Sequence, residues 1–208
     1  MKKVMSFILA AYIAITGVVS AGYADQTQVN DTEVQVYQES GATVTETTTY
    51  QDYDEAIEFL INERGYTADE ATQMLGPVNT RSTRATSIMT KTKVYDWEGF
   101  EVELGGMWNV YSEGSFREAT GLLDKWCDAV GTGEHTWSSF ALVDATGSYP
   151  AVNLVLKSEG QIVIPVSNSA TSSLGVSLEG IGFTVGDTVG TVTYYRKRES
   201  LTLRVEMM

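Results

Sequence analysis

Cysteine and histidine each occur once in the 208 residues, as Cys127 and His135. One thiol cannot close an internal disulfide, so apolar burial must hold the core together. Its alternatives are an intermolecular bridge or a reactive thiol, and its plainer role is that of a small buried side chain. Zinc sites draw on several His and Cys ligands, so no metal is expected here. No cofactor is expected either. The chain has no phosphate-binding glycine loop, no Rossmann fingerprint and no serine-centred nucleophile elbow. Bases are scarce as well: 14 Lys and Arg stand against 27 Asp and Glu, for a formal net charge of −13. That balance argues against nucleic acid as a partner.

The first two dozen residues read as a secretory signal peptide. Lys2 and Lys3 precede an uncharged, mostly apolar run from Met5 to Val19, and small residues follow that suit cleavage near Ala21 or Ala24. The run is too short for a membrane anchor, and nothing later approaches a span. Expected localisation is therefore secreted, beyond the cytoplasm, with no membrane span. Without residues 1–24 the chain keeps 12 bases against 27 acids, net −15.

The charge is uneven. Asp25 to Asn79 carries twelve acids and one base, Arg64, whereas Thr80 to Met208 carries 15 acids and 11 bases. Residues 25–50 read as an acidic, Thr-rich segment, disordered or loosely extended. Residues 51–76 read as a helical hairpin. Asp52 or Asp54 caps a helix with Ile57, Phe59, Leu60 and Ile61 on one face, and Thr67 to Glu70 forms a capping box for a second helix. Its apolar face is too small to stand alone. Residues 77–85 read as a linker, and 86–208 as a β domain.

In that last domain, alternating apolar residues and Gly-rich turns predict about eight short strands. The fold class is mainly β: an antiparallel sandwich or barrel preceded by the acidic hairpin. Ser158-Glu159-Gly160 reads as a hairpin turn, and Arg196-Lys197-Arg198 as the basic tip of another. One segment departs from alternation. Phe116, Ala119, Leu123, Trp126 and Val130 follow helical spacing, which predicts one crossing helix over 116–130; Gly121 near its centre is unfavourable, and a pair of irregular strands is the alternative. The general look resembles that of small secreted β-sandwich proteins of Gram-positive bacteria, a likeness that carries no site.

Candidate sites are few. Cys127 and His135 could form a thiolate–imidazole pair, although no local signature supports it and a buried Cys beside a loop His is the simpler reading. Trp97 and Trp137, next to polar loops, are the expected exposed aromatics for stacking a sugar or peptide. Arg196, Lys197 and Arg198 form the basic cluster. They could bind a ligand or dock the acidic hairpin of the same chain. Asp52, Asp54, Glu55 and Glu58 crowd one helix start but lack the spacing of a calcium loop. The expected role is non-catalytic binding of a glycan or protein at or beyond the bacterial cell surface. The competing role is a secreted hydrolase or effector masked by residues 25–80 as a pro-segment.

Overall fold

The computed structural model describes residues 32–76, 85–167 and 177–207. The signal-peptide region and nearly all of the expected linker lie outside the described residues. Among the described residues the principal elements, in chain order, are β1 (Thr32–Glu39), β2 (Ala42–Gln51), α1 (Tyr53–Asn62), α2 (Ala68–Leu75), β3 (Ala85–Trp97), β4 (Phe100–Glu113), β5 (Phe116–Val130), β6 (Thr136–Asp144), β7 (Asn153–Ser167), β8 (Thr184–Val189) and β9 (Val192–Glu206). The fold is mainly β, with two antiparallel sheets arranged as a sandwich and no closed barrel. One sheet has the order β1-β2-β3-β4-β5 and the other β6-β7-β9-β8.

Local sequence explains the turns. Ser40-Gly41 joins β1 to β2 and Glu98-Gly99 joins β3 to β4, all four residues at positive φ. Two such residues in succession make the turn whose twist matches the flanking strands, and glycine takes the second position at little cost. Between the sheets lies the main core. Met89, Tyr95, Trp97, Leu104 and Trp108 from the five-stranded sheet meet Leu154, Leu156, Ile162, Leu201 and Leu203 from the other. At one side the sheets are tied by paired backbone hydrogen bonds of 2.8 and 2.9 Å between Ala119 and Ala151.

The helical hairpin forms as its sequence predicts. Asp52 and Glu55 cap α1 reciprocally, as Thr67 and Glu70 cap α2. What it packs against is the outer face of the five-stranded sheet, where Ala56, Leu60 and Ala71 cover Ile88, Met107 and Trp126. Arg64 reinforces the contact, lying 4.4 Å from the Trp126 ring centre and 3.1 Å from Asp128.

Several sequence readings change. Residues 116–130 form strand β5 rather than a crossing helix. Its pairing with β4 slips twice: Met107 faces Asp124 but Trp108 faces Leu122, and Asn109 faces Gly121 but Val110 faces Ala119. Leu123 and Thr120 are the extra residues of two bulges. Each insertion moves the alternation by one position, so apolar residues at 119, 123 and 126 imitate a helical stripe. Of the Thr-rich segment, residues 32–51 are extended and paired, with β2 laddered to β3 over nine residue pairs. Ser158-Glu159-Gly160 is the middle of β7, not a turn. Arg196-Lys197-Arg198 is likewise interior to β9, paired with Val163, Ile162 and Gln161.

Candidate functional site

Cys127 and His135 have separate tasks. Cys127 sits on the inner face of β5, opposite Leu104 and within the main core. Burial, partly offset by a hydrogen bond with Ser158, pushes its thiol up to about 12. A thiol so placed is inert at neutral pH. The His135 ring nitrogens face the carbonyl oxygens of Glu101 at 2.6 Å and Gly133 at 2.9 Å, tying the loop after β5 to β4. Both ring nitrogens are thus turned toward backbone oxygens rather than toward the Cys127 thiol.

The tryptophans expected to be exposed are not. Trp97 is 1% exposed, stacked on Tyr95 at 5.8 Å, and covered by the Lys197 ammonium at 4.8 Å. Trp137 is half-buried against the main core. Mid-strand glycines make room for such rings. A Cβ on Gly105 would fall inside the Trp126 ring, one on Gly106 inside Trp108, and one on Gly160 inside Trp137. That is why glycine interrupts β4 and β7 without ending them. A Gly standing in an alternating run, with a Trp in a neighbouring run, is the signal that could have located these pairs.

The basic triplet splits by the strand's period of two. Lys197 points inward and pairs with Glu199 at 3.2 Å. Arg196 and Arg198 point outward, Arg196 reaching Asp187 at 3.0 Å. The intramolecular docking expected of this cluster does not occur: the acidic hairpin lies on the other sheet, held by Arg64 against Asp124 and Asp128. Instead, the outward arginines border a shallow depression of about 470 Å³ with Gln161, Thr184 and Gly186. Gly186 is needed there, because a Cβ would crowd the Tyr194 carbonyl and the Arg196 side chain.

Beside the depression stands an aromatic that the sequence reading overlooked. β6 slips against β7 between Ser139 and Ala141, leaving Phe140 as the extra residue. The bulge turns its ring outward, 57% exposed, with the Arg198 guanidinium 5.8 Å from the ring centre. The register also places Lys157 and Arg204 on this outer face, with Glu159 and Glu206. In a chain of net charge −13, this face gathers four bases.

A second polar cluster, also unforeseen, lies inside. Lys93 is 5% exposed and contacts Glu39 at 2.6 Å, Glu46 at 3.6 Å and the Thr202 carbonyl at 3.1 Å. Lys91 pairs with Glu46 at 3.0 Å, and the Tyr37 hydroxyl donates to Glu46. Burial alone would raise the Glu46 carboxyl, but Tyr37 and the two lysines outweigh it and hold it below its ordinary value. Its members satisfy one another, so the cluster fixes β1 and β2 on β3 rather than presenting reactive groups. At the start of α1, Asp52 and Glu55 are engaged in capping. Among the described residues, no group of three or more His, Cys, Asp or Glu is placed to hold a metal ion.

No protein-family model, curated protein or solved structure matches the chain.

Proposed function

We propose that the protein is a non-catalytic binding module working outside the cytoplasm, at or beyond the cell surface, and that its ligand lies on the outer face of the four-stranded sheet. The observation that carries this reading is Phe140, set out by its bulge beside Arg198, which in turn borders the depression with Arg196 and Gln161. An exposed ring offers a stacking surface for a sugar. Guanidinium and amide groups donate to hydroxyl and carboxylate oxygens. An anionic glycan meets that combination better than a neutral one, since Arg196, Arg198, Lys157 and Arg204 share this face. The depression is open and shallow, which suits an extended chain ligand more than an enclosed small molecule.

Titration of the mature protein against a panel of anionic and neutral polysaccharides tests the reading. Binding should favour the anionic polymers, weaken with added salt, and fall at least about tenfold in Phe140→Ala and in Arg198→Glu. The polymer should keep its chain length after prolonged incubation. Shortened chains would instead support the secreted hydrolase. Affinity unchanged in both variants would remove this face from consideration.

A further inference from the structure

The bases of the four-stranded sheet are confined to its two middle strands. β6 and β8 contribute none; their charged residues are Asp144 and Asp187. On β7 and β9 the outward bases fall into two groups along the strand direction. Arg196 and Arg198 form one, with Phe140 against Arg198. Lys157 and Arg204 form the other: Lys157 opposes Thr202, two residues short of Arg204 on the same face. From Arg198 to Arg204 is a distance of about 20 Å along an extended strand. Between the groups, Glu159 opposes Ser200. Lys157, Glu159, Arg198 and Arg204 are all exposed, and none of them forms an ion pair among the described residues. Followed along β9, the face is positive, then negative, then positive again.

We propose that this face selects an extended glycan whose acidic units are separated by neutral ones, and that the glycan runs along β9 with a neutral unit over Ser200 and Glu159. The inference rests on the binding face proposed above and adds a direction and a charge pattern to it. Direction follows from where the bases stand. A chain laid across the strands would meet one group only, and would leave over β6, which has no base, or over β8, which carries Asp187. A chain laid along β9 meets both groups. Once the first is engaged, the second contact is intramolecular, so affinity rises with ligand length up to the span of the two. Charge pattern follows from Glu159. Each basic group can receive a carboxylate through charge-assisted hydrogen bonds. A glycan with an acid on every unit must also lay carboxylates beside Glu159, where like charge repels them. A neutral unit at that point offers hydroxyls instead. These donate to the Glu159 carboxylate and exchange hydrogen bonds with the Ser200 hydroxyl. Glu159 thus determines specificity, and Lys157 with Arg204 makes the second contact.

Calorimetric titration with oligosaccharides of graded length tests both parts. Hyaluronan carries an acid on alternate units, and polygalacturonate carries one on every unit. At equal length the hyaluronan oligomer should bind more tightly, although it has fewer charges. Its affinity should step up once the oligomer spans about 20 Å. Arg204→Glu should remove that step and leave the binding of shorter oligomers unchanged. Glu159→Gln should strengthen polygalacturonate binding roughly two- to fivefold and bring no gain with hyaluronan. Both substituted side chains are exposed, so an unchanged unfolding temperature should accompany these effects. A preference for polygalacturonate that Glu159→Gln leaves as it was would overturn the charge pattern, and affinity without a length step would overturn the direction. In either case the binding face itself would stand if Phe140→Ala and Arg198→Glu still abolished binding. Failure of both polymers to bind, or binding indifferent to those two variants, would overturn the face and the inference together.

Discussion

The two sheets bury their residues by different rules. In the four-stranded sheet, β7 alternates almost without exception, its even-numbered residues inward and its odd-numbered residues toward solvent. In the five-stranded sheet, the middle of β4 is buried on consecutive residues, because Met107 meets the helical hairpin while Trp108 meets the opposing sheet. One sheet is a two-layer element with a wet face, and the other is the centre of three layers. The difference teaches where the hairpin belongs: it covers the apolar patch of Ile88, Met107 and Trp126 on that outer face, and each needs the other.

The same difference decides what could be read in advance. Strands with one wet face announce themselves by period two, so β7 and β9 were visible as alternation, although Gly160 and the basic triplet were mistaken for turns. β5 was hidden because its two bulges shift the alternation and because Trp126 and Cys127 are adjacent yet both buried, one outward and one inward. β1 and β2 were hidden for another reason. Their inner face carries Glu46, which looks like a solvent residue until Lys91 and Lys93, some 45 residues later, are laid beside it. Helix caps are local and were correctly placed. Of the candidate face, Arg196 and Arg198 were visible as charge; Phe140 was not, because its exposure comes from a bulge that only the pairing reveals.

The contrast can be broken most strongly at Met107. It is fully buried on the outer face of the central sheet. Met107→Ala should cost about 2–5 kcal/mol, by lost transfer and a cavity beneath the hairpin. Val143→Ala, on the outer face of the other sheet at 49% exposure, should change stability by no more than about 0.5 kcal/mol. Equal costs, measured by urea unfolding, would mean that the two outer faces are alike.

A smaller effect is expected at Cys127. Cys127→Ala should cost on the order of 1 kcal/mol, and the native thiol should react with alkylating reagents only after unfolding. Fast alkylation of the folded protein would contradict its place in the core.

The smallest effect sharpens how β1 and β2 are held. Glu46 is held below its ordinary value of 4.5 in the fold. A carboxyl lowered in this way contributes stability in full above its unfolded value, and that contribution is lost as pH falls through the folded value. Acid should therefore weaken the protein progressively below about pH 4.5, and Glu46→Gln should reduce that slope while lowering stability near pH 7. An unchanged acid slope in the variant would remove Glu46 from the account.

The central claim is that the acidic segment and the β domain share one sheet, and hydrogen exchange at the β2–β3 ladder tests it most directly. Amides bonded across Thr43–Gln51 and Ile88–Asp96 should exchange at the same slow rate as those between β3 and β4, and β2 should lose protection only when the whole molecule unfolds. Rapid exchange throughout β2, with β3 to β5 still protected, would show the segment to be a separate unit and contradict the account.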